Sequence, residues 1–267
     1  MMIGLALGCK INEKSLFERK NYFYPDLPKG YQISQYRWPL CVNGWIEVTG
    51  RKIRINRAHM EEDTGKLTHR GSETLIDFNR SGVPLVEIVT EPDFHSVEEV
   101  REYAKALQQL FRYLGVSNAD MERGDMRLEA NVSVRKISKS KLQIPNYRVE
   151  LKNINSYRFM KAAVEYEIKR QIDELEAGKK LTQETRGWNE DKKCTYLQRS
   201  KEEAHDYRYF PEPDIPELRI EESRVKSLES SIPELPWDKL ARLQKEYGLT
   251  KQQAEILTET RELADFY

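Results

Sequence analysis

Met126-Arg-Leu-Glu-Ala-Asn-Val-Ser-Val-Arg135 alternates residue by residue. Met126, Leu128, Ala130, Val132 and Val134 fall on one side of an extended chain, with Arg127, Glu129, Asn131, Ser133 and Arg135 on the other. Successive strand side chains point to opposite faces, so this is a strand with one buried and one open face. Tyr147 to Asn153 repeats the theme, Val149 and Leu151 opposing Arg148, Glu150 and Lys152. Punctuated helices flank these strands. Ser96 and Glu99 form an S-x-x-E capping box, Val100, Ala104, Leu107, Phe111 and Leu114 make an apolar stripe, and Gly115 is a stop. A second helix is expected from about Tyr157 to Ala177, entered through Asn155-Ser156 and left at Gly178.

Upstream, Arg51 to Asn56 alternates around Ile53 and Ile55, and the cluster Glu61-Glu62-Asp63 is expected to follow that strand. Thr74 to Phe78 and Val83 to Val89 read as two strands joined by the turn Asn79-Arg80-Ser81-Gly82, with Glu87 interrupting an apolar run. Residues 21–49 suit an aromatic-packed loop region with short strands. Strands then helix, twice over, predict an α+β domain with helices against one face of a mostly antiparallel sheet. Phe210 to Pro216 breaks regular structure, and beyond it Trp237–Tyr247, a helix capped by Thr250 and Glu259–Phe266 read as the opening of an all-helical domain.

The chain has 267 residues, which at roughly 150 residues per domain means one large domain or one plus part of a second. Charged residues make up 33% and mean hydropathy is −0.76, the profile of a globular protein with a wet surface. No apolar run approaches the ~18 residues of a membrane span, and Met1–Cys9 lacks the features of a signal peptide. Cys9, Cys41 and Cys194 form neither a disulfide framework nor a CxxC site, which points to a reducing compartment. Residues 1–57 hold ten Lys/Arg against four Asp/Glu, and residues 200–267 hold ten against sixteen. There is thus no general basic field for nucleic acid, only a local basic N-terminal face.

The sequence has no P-loop, GxGxxG, HExxH or GxSxG motif, and its four histidines show no metal-ligand spacing. What it offers is carboxylates on strand faces. Glu61, Glu129 and Glu150 supply hard oxygen ligands suited to Mg²⁺, which neutralises ATP phosphates in phosphoryl transfer. Arg127, Arg148, Lys152 and Arg208 are candidates to hold phosphate or carboxylate groups. On pattern alone, ion pairs on a solvated sheet are the simpler account of all seven residues.

Longer strings carry a resemblance. They are Arg19-Lys-Asn-Tyr-Phe-Tyr-Pro-Asp-Leu-Pro-Lys-Gly-Tyr-Gln-Ile-Ser-Gln35, His59-Met-Glu-Glu-Asp-Thr-Gly-Lys66, Ile76-Asp-Phe-Asn-Arg-Ser-Gly-Val-Pro-Leu85, Met126-Arg-Leu-Glu-Ala-Asn131, Glu150-Leu-Lys-Asn-Ile-Asn-Ser156, Thr185-Arg-Gly-Trp188 and Asp206-Tyr-Arg-Tyr-Phe-Pro-Glu-Pro-Asp214. In these the chain strongly resembles the B-subunit family of glutamyl-tRNA(Gln)/aspartyl-tRNA(Asn) amidotransferases. The resemblance implies a glutamine synthetase-like cradle over residues 1–222 and the start of a helical tRNA-binding tail over 223–267. It also implies ATP and Mg²⁺ as cofactors. The implied activity is phosphorylation of the side-chain carboxylate of Glu-tRNA(Gln) or Asp-tRNA(Asn), followed by amidation with ammonia. The implied partners are an amidase subunit, a small linking subunit and the misacylated tRNA. The implied compartment is a bacterial cytoplasm, with an organelle matrix as the alternative. With the resemblance, Glu61, Glu129 and Glu150 become metal ligands and catalytic carboxylates.

Three departures from the family pattern stand out. The usual Glu-x-His segment before the Arg-Lys-Asn-Tyr string has no counterpart, and the chain ends inside the first helices, so a truncated chain is expected. Met121-Glu-Arg-Gly-Asp-Met-Arg127 replaces the usual Met-Glu-Glu-Gly-Ser-Met-Arg, and Glu129 stands where an Asp is usual. The alternative function is therefore a non-catalytic scaffold that docks to the amidase subunit.

Overall fold

The computed structural model describes residues 1–135, 145–154, 156–200 and 207–267. In chain order the elements are α1 (Met2–Ala6), β1 (Lys10–Ile11), β2 (Lys14–Ser15), β3 (Glu18–Asn21), β4 (Tyr31–Ser34), β5 (Cys41–Val48), β6 (Arg51–Glu62), β7 (Lys66–Arg70), β8 (Glu73–Asp77) and β9 (Pro84–Thr90). Then come α2 (Val97–Tyr113), β10 (Leu128–Val132), β11 (Val149–Ile154), α3 (Tyr157–Glu176), β12 (Glu184–Asn189) and β13 (Cys194–Ser200). Last are β14 (Phe210–Pro211), β15 (Leu218–Arg219), α4 (Glu222–Glu229), α5 (Pro236–Tyr247), α6 (Lys251–Leu257) and α7 (Arg261–Phe266). They fall into two compact units: Met1–Asp93 with His205–Asp238, and Phe94–Ala204 with Lys239–Tyr267.

The first unit is built on an antiparallel sheet in the order β1-β5-β6-β9. Ile53 and Ile55 are fully buried, as their alternation requires. β6 runs on to Glu62, so Glu61 and Glu62 are the end of the strand rather than the loop after it. β8 and β9 do not pair with each other. β8 pairs with β7 and β9 with β6. The turn at 79–82 redirects the chain because Gly82 donates its N–H to the Asp63 carbonyl (2.9 Å) and Asp63 donates to the Val83 carbonyl (2.7 Å). The Pro-rich segment is not wholly irregular: β14 lies along β3, with Phe210 opposite Arg19.

The second unit carries a sheet in the order β10-β11-β12-β13. Its outer pairs are antiparallel and β11–β12 is parallel, the crossover being α3. Val149 and Leu151 are fully buried and belong to one core with Met160, Ala163 and Val164 of α3. The local signals in the sequence are realised here. Ser96 Oγ accepts from the Glu99 N–H at 3.2 Å, while the Glu99 carboxylate reaches back to the N–H of His95 at 2.7 Å. Ser156 Oγ accepts from Phe159 N–H at 3.1 Å, and Gly115 and Gly178 adopt the positive φ of helix stops. Thr250 and Gln253 make a complete capping box on α6. Tyr113 donates its hydroxyl to the Thr258 carbonyl (2.6 Å), tying the C-terminal helices to α2. The arrangement of helices and antiparallel sheets is α+β, as expected. Among the described residues no helix is long and apolar enough to cross a membrane.

Candidate active site

Glu61 lies with two residues that the sequence does not single out as ligands. His59 and Glu61 occupy alternate positions of β6, and the register sets Glu87 of β9 directly opposite His59. His59 Nε2 is 3.1 Å from Glu87 Oε2 and 4.0 Å from Glu61 Oε2. One ligand atom from each of the three lies within 4.8 Å of the other two. His59 is buried, at 3% exposure, while the Glu87 side chain is 46% exposed, so the cluster has a dry floor and an open rim. Burial and the neighbouring Glu87 carboxylate push the Glu61 carboxyl up. The hydrogen bond from His59 draws Glu87 the other way, outweighing its own desolvation. Ser34 Oγ donates to Glu61 Oε2 at 3.4 Å.

The donor set tests what the cluster fits. Two carboxylate oxygens and one imidazole nitrogen form a hard, anionic site that suits Mg²⁺ or Mn²⁺. The three atoms are close enough to share one ion without rebuilding the sheet.

The rest of the acidic run is structural. Glu62 accepts from Lys29 Nζ at 2.6 Å to each oxygen and from the Ile33 N–H at 3.0 Å. Asp63 is buried and pairs with Arg80 at 3.3 Å. An aromatic wall flanks the cluster. Tyr22 and Tyr207 meet edge to face at 5.7 Å, and Tyr36 stacks on Tyr209 at 4.6 Å. Lys20 lies over Tyr207 at 4.8 Å and favours the ionised forms of both Glu61 and Glu87. Burial holds the Tyr22 and Tyr209 hydroxyls protonated well above their usual range.

Arg208 belongs to this same unit. Its backbone has φ 43°, a region that costs energy for a residue other than glycine. Asn21 holds it there, donating from Nδ2 to the Arg208 carbonyl (2.9 Å) and from its N–H to the Tyr207 carbonyl (2.9 Å). Asp206, part of the same string, lies outside the described residues.

The other five predicted residues sit in the second unit, on the polar side of its sheet. Glu129, Glu150 and Lys152 are brought together: Lys152 Nζ is 3.4 Å from Glu129 Oε2 and 3.5 Å from Glu150 Oε1. Thr185 Oγ1 donates to Glu150 Oε2 at 3.1 Å. Arg127 and Arg148 are exposed just before β10 and β11. Lys152 thus sits as the counter-charge between two of the predicted ligands. Arg186, from the Thr185–Trp188 string, is structural: its Nε donates to Thr195 Oγ1 (3.0 Å), beside the fully buried Glu167.

Residues 1–226 match the GatB/GatE catalytic domain. The chain belongs to that family. Three relatives are named as B subunits of aspartyl/glutamyl-tRNA(Asn/Gln) amidotransferase. The one from Thermosipho melanesiensis is 50% identical over 273 residues, covering 100% of this chain and 57% of the relative. That from Thermodesulfovibrio yellowstonii is 52% identical over 269 residues, covering 99% and 56%. That from Thermomicrobium roseum is 52% identical over 275 residues, covering 100% and 56%. The chain therefore spans somewhat more than half the length of these family members. Of the strings that carry the resemblance, some supply His59, Glu61 and the ring wall in the first unit and Glu129, Glu150, Lys152 and Thr185 in the second, whereas Glu87 lies outside all of them.

Proposed function

We propose that this chain carries the ATP-dependent activation step of a tRNA-dependent amidotransferase. The observation that supports it most is the His59–Glu61–Glu87 cluster inside a GatB/GatE catalytic domain. A carboxylate resists attack by an amine because it is charged and resonance-stabilised. Activation removes that obstacle. The side-chain carboxylate of Glu-tRNA(Gln) or Asp-tRNA(Asn) attacks the γ-phosphorus of ATP, the bond to the bridging oxygen breaks and ADP leaves. Ammonia then attacks the acyl carbon, phosphate departs with its bonding pair, and loss of a proton gives the amide.

The chain's own residues have defined tasks in this reading. Glu61, Glu87 and His59 hold Mg²⁺, which supplies neutralisation of phosphate charge when bound. Lys20 adds positive charge beside the cluster, and the half-buried rings of Tyr22 and Tyr209 limit water on one side. Within the second unit, Glu129 and Glu150 are carboxylate ligands for a divalent cation and Arg127, Arg148 and Lys152 bind phosphate or carboxylate groups; Arg208 does so in the first unit. Residues 1–222 form a glutamine synthetase-like cradle, and 223–267 begin a helical tRNA-binding region. The partners are an amidase subunit, a small linking subunit and the misacylated tRNA, in a bacterial cytoplasm. Exposed apolar side chains on and beside the β7–β8 ribbon (Leu75, Ile76, Phe78 and Val83) support protein docking there.

The position of Lys152, already neutralising Glu129 and Glu150, favours a second reading in which the chain is a scaffold without catalysis. Co-expression with amidase and linking subunits decides between them. ATP-dependent conversion of Glu-tRNA(Gln) to Gln-tRNA(Gln) is the expected result; a stable complex without turnover leaves the scaffold.

A further inference from the structure

Glu150 and Thr185 stand side by side in the parallel pair β11–β12, so their side chains leave the sheet on the same face. The Thr185 hydroxyl donates to Glu150 Oε2 at 3.1 Å. The other oxygen, Oε1, is the one that meets Lys152, whose Nζ also reaches Glu129 Oε2. The two contacts differ in kind. A lysine ammonium is a point charge on a flexible stem and meets a carboxylate in many orientations. The terminal torsion of a glutamate is broad and roughly two-fold, so such a partner alone leaves the carboxylate free to turn. A threonine hydroxyl stands on a β-branched carbon with restricted χ1, and it fixes one oxygen.

The sheet is irregular where these side chains sit. In β10–β11, Leu128 pairs with Ile154 but Ala130 with Leu151, so Glu129 stands opposite both Lys152 and Asn153. In β12–β13, Thr185 pairs with Arg199 but Arg186 with Leu197, and Gln198 is the extra residue. Bulges re-aim side chains and recur beside active sites. Here a bulge borders the polar group on each side.

The strand that carries Thr185 is also anchored from its other face. Arg186, the next residue, turns towards α3, where Glu167 is the anchor. Glu167 accepts from Thr195 Oγ1 (3.0 Å), Arg170 Nε (3.0 Å) and Gln171 Nε2 (2.8 Å), and lies 3.6 Å from Arg186 Nε. It is fully buried. Because α3 is the crossover between β11 and β12, this hub sets the height of Thr185 against Glu150.

We propose that Thr185 is a positioning residue for Glu150: its hydroxyl holds Oε2 and keeps Oε1 turned to Lys152 and Glu129 on the open face. This rests on the ligand role proposed above for Glu150, and adds to it the group that orients that ligand.

The test compares Thr185→Val, which keeps the branched shape and strand preference but lacks the hydroxyl, with Thr185→Ser, which keeps the hydroxyl. First, nuclear magnetic resonance follows the full chain, without metal, carrying carbon-13 in its glutamate side-chain carboxyls. The Glu150 resonance is assigned by its loss in Glu150→Gln. It moves in Thr185→Val and stays at the parent position in Thr185→Ser, with melting midpoints close to the parent in both. Second, magnesium is titrated into an assembled amidotransferase during ATP cleavage. Thr185→Val raises the half-saturating magnesium concentration about tenfold, the lower end of the loss when a group that orients a metal ligand is removed, and Thr185→Ser restores the parent requirement. A Glu150 resonance unmoved in Thr185→Val overturns the inference. Where Glu150→Gln stops cleavage, an equal magnesium requirement in parent and Thr185→Val overturns it too. If Glu150→Gln leaves cleavage undiminished, the ligand role proposed above fails, and the resonance alone decides whether Thr185 positions Glu150.

Discussion

Arg19 and Glu212, 193 positions apart in the chain, meet fork to fork: Nε to Oε2 at 2.6 Å and Nη2 to Oε1 at 2.8 Å. The pair fastens the segment that carries Tyr207, Arg208 and Tyr209 to β3, where Phe210 already pairs with Arg19 through the backbone. Glu212 is almost wholly buried, and it also accepts from the Asp214 N–H at 3.1 Å. The aromatic wall beside the cluster depends on this clasp.

Glu212→Gln is expected to cost about 2–3 kcal/mol, since charge-assisted hydrogen bonds contribute ~1.5–3 kcal/mol. For a chain of this size that lowers the melting midpoint by roughly 4–10 °C. The loss depends on pH. Arg19 holds the Glu212 carboxyl below the usual carboxylate range. As pH falls, the unfolded chain takes up its proton first, so the stabilisation is complete above the ordinary Glu pKa and vanishes as pH drops through the depressed folded value. Melts of parent and Glu212→Gln should differ at pH 7 and converge in acid; a constant gap would rule out the charged clasp.

Glu61 and Glu62 are neighbours with different tasks. Glu62→Gln breaks the Lys29 pair and weakens acceptance from Ile33, so urea unfolding should show a loss of about 1–2 kcal/mol, while divalent-cation affinity stays at the parent level. A variant that loses cation binding and keeps its stability would reverse the assignment.

Gly44 lies in the middle of β5 because the chain from α1 presses on it. A Cβ there would meet the Cys9 sulfur and stand 2.6 Å from the Leu7 carbonyl oxygen, and Trp45 donates its N–H to that same carbonyl at 2.7 Å. Backbone cannot swing aside as a side chain can. Gly44→Ala should destabilise the fold by about 1–3 kcal/mol, read from the shift in urea midpoint at unchanged slope.

Local structure is legible in the sequence. The alternation of residues 126–135 marks β10 and its open face, and Ser96, Ser156 and Thr250 mark helix starts, because caps and side-chain period are set by neighbours in the chain. Strand pairing is not legible. The turn at 79–82 has hairpin chemistry, yet the Asp63 backbone captures Gly82 and Val83, so β9 joins β6 instead of β8. The same long-range register hides the cluster. His59 and Glu87 share no motif spacing along the chain, and only the antiparallel ladder makes them opposite partners. The one available sign is Glu87 itself, a lone acid in an apolar strand. Glu61, Glu129 and Glu150 stand out by residue type and resemblance, and of the three Glu61 is the one found beside a histidine.

Glu150 is held by Thr185 and Lys152, and its proposed role is tested in an assembled amidotransferase. Glu150→Gln should abolish magnesium-dependent ATP cleavage while leaving complex assembly intact. Unchanged cleavage removes Glu150 from the proposed ligands.

His59, Glu61 and Glu87 stand or fall together as a divalent-cation site. Manganese is titrated into the full chain and followed by the loss of the free-ion electron paramagnetic resonance signal. A saturable site is expected, weakened at least tenfold in Glu61→Gln and in Glu87→Gln, with melting midpoints close to the parent. Manganese bound equally well by the parent and by the Glu61→Gln/Glu87→Gln double variant would refute the site.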